Sequence, residues 1–574
     1  MRVITILNKE FILLVLILVF NYIKVFSMKN IANKIFVLII VMSSLFASCE
    51  FLNIEPLDSY TENSIFSDLA LAEAYVTRNY TLPVNGFNST ALRFVSDESH
   101  NNFNWGSAWT LTRGQMTPDQ FGSFGIWNSY YSYIRACNVF FNNLDKLPGS
   151  EEEKNRLIGE MTFFRAYYYM ELVNRYGGVP LITTTFELDD ENMMIPRDSY
   201  DACVDFIVSE FTKAATLLPE KWTGSNFGRA TKGAALAMKS RILLYAASPL
   251  WNTTNNISKW QAAADAAKEV INLGIYQLDN DYKGLFINSN SPEIIFQRLY
   301  TSEYSNNYDW QNTPNGWTGY SATCVSQSMV DSYEMADGTM PDETIYELAT
   351  SNPWAGREPR FYASIVCDGQ IFRDDEVEFW INEDGKTGGK DSEFGTDNWN
   401  HSKTHYTIRK FMDESLKAPW TDKGSQPWIY SRYAEILLNY AESMYHLGEE
   451  EEARKYINLV RERARNGDNN VLPDITVSGE ELLNAIHHER KVELAFEEHR
   501  FFDVRRWKIA EITDNIDVHG IKIVKKADGT KSYSIVKVDD RAFISPNHYL
   551  FPIPNDEIRK NNLLEQNPGY DKIQ

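Results

Sequence analysis

The sequence predicts a mostly α protein: a tetratricopeptide-like helical-pair scaffold with long irregular, loop-rich insertions and a few short strands. Two observations predict the scaffold and a third the insertions. Apolar residues recur three or four apart in runs that come in pairs across short turns. Small residues stand where neighbouring helices of such repeats meet. Residues 275–426 are rich in Asn, Gly, Asp, Ser and aromatic residues, with only short strand-like pieces such as 293–296.

The first pair begins at Trp127. Tyr130, Tyr131, Ile134, Cys137, Phe141 and Leu144 mark one helix, and Leu157, Met161, Phe164, Tyr168 and Leu172 mark the next. Leu147-Pro148-Gly149-Ser150 supplies the turn between them, and Ser150 followed by Glu153 has capping-box spacing. Similar runs pair residues 234–248 with 260–273 and residues 433–447 with 451–464. In the last of these, Leu437, Ala441, Leu447-Gly448 and Ala453 look like a tetratricopeptide-type repeat. The helical scaffold is therefore expected at residues 120–275 and 428–510 and the loop-rich insertion at residues 276–427, which holds Trp310, Trp317, Trp354, Trp380, Trp399 and Trp420. Loops on a rigid scaffold are where binding sites concentrate.

Charge narrows the function. The chain carries 56 Lys+Arg against 78 Asp+Glu, a net of -22, which repels phosphate backbones and argues against nucleic acid as a partner. Aromatic residues make up 13% of the chain, more rings than its few aliphatic runs need for a core, so some are expected to bind ligand. Beyond Cys49, the cysteines Cys137, Cys203, Cys324 and Cys367 show neither CxxC nor Cys/His ligand spacing, so neither zinc nor a dense disulfide framework is expected; one disulfide remains open.

Two apolar runs, residues 11–20 and 35–46, are shorter than the roughly 20 residues a spanning helix needs, and read as export signals. The second follows Met28, Lys29 and Lys34 and ends in Leu45-Phe46-Ala47-Ser48-Cys49, which resembles a bacterial lipobox. Met28 is then an alternative start, residues 1–48 are a signal peptide, and residues 49–574 are the mature, single-domain protein. The resemblance implies that Cys49 is acylated and that several acyl chains hold the protein to outer-membrane lipid, since one chain alone binds only marginally.

A wider resemblance covers nearly the whole mature chain. Phe51-Leu52-Asn53-Ile54-Glu55-Pro56 follows the lipobox; Phe164-Arg165-Ala166-Tyr167-Tyr168-Tyr169 leads to Arg175-Tyr176-Gly177-Gly178-Val179-Pro180-Leu181; and Gly228-Arg229-Ala230-Thr231-Lys232-Gly233-Ala234-Ala235 continues the series. Arg357-Glu358-Pro359-Arg360-Phe361, Arg432-Tyr433-Ala434-Glu435, Glu489-Arg490-Lys491-Val492-Glu493-Leu494 and Arg500-Phe501-Phe502-Asp503-Val504-Arg505-Arg506-Trp507 come next, and the chain closes on Pro552-Ile553-Pro554 and Gln566-Asn567-Pro568-Gly569-Tyr570. In this order the set resembles the SusD/RagB family of starch-binding-like outer-membrane lipoproteins, with Glu358 departing from the Asp expected there. The resemblance implies four tetratricopeptide-like helical pairs and a lid seated on a SusC-type TonB-dependent barrel transporter. It also implies a glycan ligand that is captured rather than cleaved, no cofactor, and a cell-surface location. The alternative is a helical-repeat envelope lipoprotein that binds peptide or protein. Such a protein would place polar clamps along helix faces, whereas the surplus rings here fall in loops.

Sugars present an apolar C–H face and a rim of hydroxyls, so a receptor needs flat rings beside short polar side chains. Asn101, Asn102, Phe103, Asn104, Trp105 and Trp109 supply this in one stretch, and Tyr304, Tyr308, Trp310, Trp317 and Tyr320, interleaved with Asn306, Asn307, Gln311, Asn312 and Asn315, supply it again. The family resemblance implies ligand contacts in the same two neighbourhoods. Arg113 suits either sugar hydroxyls, a uronic carboxylate or a structural pair. The charges Glu489, Arg490, Glu493, Glu497 and Arg500, three or four apart, predict an ion-pair lattice rather than catalytic carboxylates. Asp97-Glu98 near His100 lacks a partner at known distance for glycoside hydrolysis. Asn382-Glu383-Asp384-Gly385 lacks the ligand spacing of a calcium loop.

Overall fold

In the computed structural model, which describes residues 62–186, 190, 193–350 and 352–570, helices dominate and strands are short. The export signals and Cys49 lie outside the described residues. Helix α1 spans Leu69–Thr77, capped by the Asp68 carboxylate on the Ala70 and Leu71 amides. The scaffold then runs through α2 (Trp127–Asn142), α3 (Glu151–Tyr176), α4 (Tyr200–Leu217), α5 (Lys232–Ala247) and α6 (Ile257–Asn272). It resumes with α7 (Tyr433–His446), α8 (Glu450–Ala464), α9 (Glu480–Glu493) and the short α10 (Arg500–Arg506).

Local chemistry starts and stops these helices. The Ser150/Glu153 capping box forms as expected, and Ser199, Thr231 and Asn256 cap α4, α5 and α6 through their side-chain oxygens. Gly177, at φ 76°, ends α3. Each helix from α2 to α8 packs on the next, and α9 packs on α7 and α8. The periodic runs account for α2/α3, α5/α6 and α7/α8; α4 and α9 are the helices they leave out. In the α5/α6 contact, Leu244, Tyr245 and Ala247 cluster with Trp260 and Ala263. Across the insertion, α6 meets α7 with Trp260 stacked on His446 at 3.8 Å. The intervening residues therefore loop out from one junction of an unbroken helical stack.

The insertion is anchored where it leaves and returns. Strand Ile294–Arg298 pairs antiparallel with Trp428–Arg432. Beneath this joint lies the ion-pair lattice, wider than one helix. Arg432 binds Glu293 at 2.7 Å, Glu493 at 2.6 Å and Glu497 at 2.7 Å. Arg360 binds Glu358 at 2.7 Å and Glu493 at 2.9 Å, and also pairs with Glu489. Arg461 joins Glu334 to Glu489, Arg463 joins Glu293 to Glu493, and Lys410 binds Glu497 at 2.6 Å. Burial alone would raise Glu493, but the guanidiniums of Arg463, Arg432 and Arg360 hold it well below the usual carboxylate range. Glu497 is likewise held down against burial by Arg432 and Lys410. Glu358 goes the other way, pushed up by burial to about 7. These carboxyls are buried and engaged with cations, which is structural work. Asp97 is similarly bound, to Arg500 at 2.7 Å and Lys491 at 3.2 Å, and Glu98 accepts the Phe496 amide at 2.7 Å. Cys137, Cys203, Cys324 and Cys367 are free and buried, so the disulfide left open by the sequence is not formed.

A four-stranded antiparallel sheet orders the rest of the insertion: Ser99–Asn101, Thr323–Val325, Thr407–Ile408 and Ile365–Val366, in that spatial order. A C-terminal hairpin joins Val518–Lys525 to Lys531–Asp539.

Candidate functional site

The site grows from one edge of that sheet. Asn101 lies opposite Thr323, and the pairing continues where the Asn102 amide donates to the Ala322 carbonyl at 3.1 Å. This register sets Phe103, just past one strand, beside Tyr320, just before the other, with ring centroids 5.8 Å apart. Asn102 ties in a third segment, its Nδ2 donating to the Tyr320 carbonyl at 3.3 Å and to the His401 carbonyl at 3.1 Å. Trp399 thereby joins the group.

Rings from three segments converge here. Phe103 stacks on Trp105 at 5.2 Å and lies 5.7 Å from Trp399. Tyr320 lies 6.1 Å from Trp105, 4.9 Å from Trp310 and 5.8 Å from Trp399. Trp399 is 60% exposed, while Phe103, Trp105, Trp310 and Tyr320 are half-buried. At the margin, His401 Nδ1 donates to the Asn398 carbonyl at 2.6 Å, which leaves Nε2 as an acceptor 3.4 Å from Lys403 Nζ. Burial holds the His401 imidazole below its ordinary pKa, so it is neutral at pH 7. The surface thus offers aromatic faces rimmed by amides, one neutral imidazole and one lysine.

The loops that present these rings carry backbone strain. Asn104, Ser107, Thr318, Ser321 and Asp397 all have positive φ, between 45° and 65°. Such conformations cost of order 1 kcal/mol or more in non-glycine residues and persist where surrounding contacts over-determine them, typically at functional sites. Gly106, at φ 64°, turns the chain between Trp105 and Trp109 where a Cβ would meet the Thr90 side chain at 2.9 Å.

Of the residues expected to bind, Trp105, Trp310 and Tyr320 lie in the cluster. Others do not. Tyr308 is a correction: it is 1% exposed, packed on Phe87 at 4.6 Å, with its hydroxyl donating to the Lys410 carbonyl at 3.1 Å. Asn101 is equally buried, its amide spent on the Phe103 amide and the Trp105 carbonyl, so it shapes the loop. Asn104 accepts the Trp109 amide at 2.7 Å, again bracing the loop. Trp109 lies near-parallel to His100 at 5.9 Å with the Arg113 guanidinium 4.6 Å from its ring centroid, and its Nε1 donates to the Asn101 carbonyl, so the ring is engaged within the fold. Arg113 pairs with Asp539 at 2.7 Å, the structural one among its expected roles. Trp317 sits apart, under the Lys390 ammonium at 4.2 Å and edge-on to Phe372. Tyr304 projects into solvent, 79% exposed. Trp399 was not among the expected binders, although Asp397-Asn398-Trp399-Asn400-His401 has the same amide-plus-tryptophan composition as the stretch at Asn101.

Comparison with known proteins accords with this architecture. Residues 292–570 match the model described as the SusD family, and residues 50–244 match one described as "Starch-binding associating with outer membrane". A SusD-like protein from Bacteroides fragilis of known crystal structure is 34% identical, the match covering 90% of this chain and 100% of that one at a TM-score of 0.76. A SusD-like carbohydrate binding protein from the same species is 24% identical, covering 88% of this chain and 100% of its own at a TM-score of 0.75. SusD-like protein P2 of Formosa agariphila is 25% identical over 462 residues, 78% of this chain and 80% of its own. Matched along the whole length of a relative at 34% identity, and sharing its fold, the chain belongs to the SusD family.

Proposed function

We propose that this protein is a lipid-anchored outer-membrane glycan receptor at the cell surface, which captures oligo- or polysaccharide on the ring cluster and delivers it to a SusC-type TonB-dependent barrel transporter without cleaving it. The mature chain from Cys49 onward acts as one unit, with the helical stack as its scaffold and the insertion carrying the site. The observation that carries the reading is the convergence of Phe103, Trp105, Trp310, Tyr320 and Trp399 at the surface beside amide side chains. Pyranose rings stack on such faces while their hydroxyls meet amides and carbonyls. Membership in the SusD family and the outer-membrane description of the N-terminal match support the location.

Trp399→Ala tests the reading at its most exposed ring. Affinity for the best-binding oligosaccharide on a glycan array is expected to fall about two- to tenfold by calorimetric titration, with the melting temperature unchanged because the side chain is 60% exposed. Unchanged affinity would place the ligand elsewhere.

Anchoring has its own test. Cys49→Ala is expected to abolish incorporation of labelled palmitate and to release the protein from membranes or leave it uncleaved, because the acyl chains supply the attachment. Persistent label on the variant would refute acylation at Cys49.

A further inference from the structure

A second cleft lies on the helical scaffold, away from the ring cluster and sharing none of its residues. It encloses about 560 Å³ between the loop before α5, the turn after α6 and the strand Ile294–Arg298. That volume falls in the range of small-molecule sites. Trp222, Phe227, Ile275 and Tyr276 supply its apolar lining, and Asn290 and Gln297 line it as well.

The wall is built, not incidental. Trp222 Nε1 donates to the Ala230 carbonyl at 2.8 Å, which fixes its ring. The Tyr276 hydroxyl lies so close to the first turn of α5 that a Cβ on Gly233 would meet it at 2.1 Å, so the glycine makes room for the ring. Phe227 is 37% exposed and Ile275 44% exposed, apolar side chains left open at the mouth. On the polar side, Gln297 is 6% exposed; its Nε2 donates to the Ser289 carbonyl at 2.8 Å, while its Oε1 has no partner.

The charges at the cleft select the ligand class. Arg229 is spent on Glu160 at 2.9 Å and Glu73 at 2.7 Å, and Glu220 faces Lys232 at 3.4 Å. Exposed Lys221 at the rim is the exception. What remains toward a ligand is aromatic face, amide and hydroxyl. An ion would find little charge to pair with, whereas the exposed Asn290 amide offers hydroxyls both a donor and an acceptor. We infer that this cleft is a second saccharide-binding site, taking a neutral sugar unit against Trp222, Phe227 and Tyr276 with its hydroxyls on Asn290. The choice of a sugar rests on the glycan reading of the ring cluster, and two sites on one chain would raise the avidity for a long polymer.

The test is a calorimetric titration of the mature protein with maltohexaose, laminarihexaose, xylohexaose and mannohexaose. It compares the wild type, a ring-cluster variant (Tyr320→Ala with Trp399→Ala) and a cleft variant (Phe227→Ala with Asn290→Ala), with melting temperatures recorded beside them. The expected result is a binding event that survives in the ring-cluster variant and is weakened about two- to tenfold, or lost, when the cleft substitutions are added. If the cleft pair melts early, Asn290→Ala alone, on an exposed side chain, carries the same comparison. Loss of all binding in the ring-cluster variant would overturn the second site and leave the proposed function standing, as would residual binding indifferent to the cleft substitutions. Binding that depends on the cleft alone would keep the second site and refute the ring cluster. A wild type that binds none of the four sugars would overturn both.

Discussion

Arg432→Met is expected to destabilise the folded protein by about 3–5 kcal/mol, since removing one partner from a buried ion pair leaves uncompensated charge behind. The side chain is 1% exposed and contacts Glu293, Glu493 and Glu497 directly, so three carboxylates lose their common cation at once. They sit on the strand-side edge of the insertion and on the end of α9 and beyond, so the same substitution loosens the joint between insertion and scaffold. Arg432→Lys should recover part of the loss, keeping the charge without the planar fork. The acid dependence has a definite sign. Glu493 and Glu497 are held below their unfolded values, so their contribution is present above the unfolded pKa of about 4.3 and is lost as pH falls through their folded values. In Arg432→Met these carboxyls keep fewer cations and take up protons more readily. The deficit relative to wild type should therefore shrink as pH falls from about 7 toward about 4. Thermal unfolding across that range checks it, and a deficit independent of pH would show that lost packing, not charge, is responsible.

Tyr308→Ala should cost about 3–5 kcal/mol as a large-to-small change in a closed core. The ring packs on Phe87 at 4.6 Å, Phe411 at 6.1 Å and the Arg93 guanidinium at 5.4 Å, so little can collapse into the space. Tyr308→Phe removes only the hydroxyl that donates to the Lys410 carbonyl and should cost about 1 kcal/mol. Tyr308 heads the short helix Tyr308–Asn312 that carries Trp310, so the alanine variant should bind saccharide poorly only where it has begun to melt. An early melt for Tyr308→Ala beside an unchanged melt for Trp399→Ala separates core ring from binding ring. Equal melting of the two would contradict the assignment.

These rings show what residue type alone conveys. Tyr308, Trp109 and Trp310 share one compositional signal, aromatic among amides, yet one is core, one lies against His100 and Arg113, and one reaches the cluster. Which face a loop ring shows is set by the strand register at Asn101–Thr323 and by the Asn102 bridges, contacts between residues more than 200 apart in sequence. Trp399 could have been read from its amide neighbours; its proximity to Tyr320 could not.

The scaffold was more legible because its signals are local. The Ser150/Glu153 cap and the stripe Leu157, Met161, Phe164, Tyr168, Leu172 lie within a few turns of each other, and α3 forms where they place it. The stripe shows only part of that helix, which also buries Glu160, Arg165, Glu171 and Arg175 by pairing them. In α4, Cys203, Val204, Ile207 and Phe211 recur at helical spacing, so the sequence carries the signal for this helix as well. The lattice was half visible for the same reason. The spacing from Glu489 to Arg500 shows charges on neighbouring turns, while their partners Arg360, Arg432, Arg461 and Arg463 come from distant segments.

A crystal structure of the mature protein soaked with the oligosaccharide that binds it best shows whether the ring cluster holds the glycan. A pyranose ring is expected to stack on Trp399 or Tyr320, with hydroxyls reaching the amide and imidazole groups around Asn398 and His401. Saccharide bound at other surfaces while the faces of Phe103, Trp105, Trp310, Tyr320 and Trp399 stay empty would contradict it.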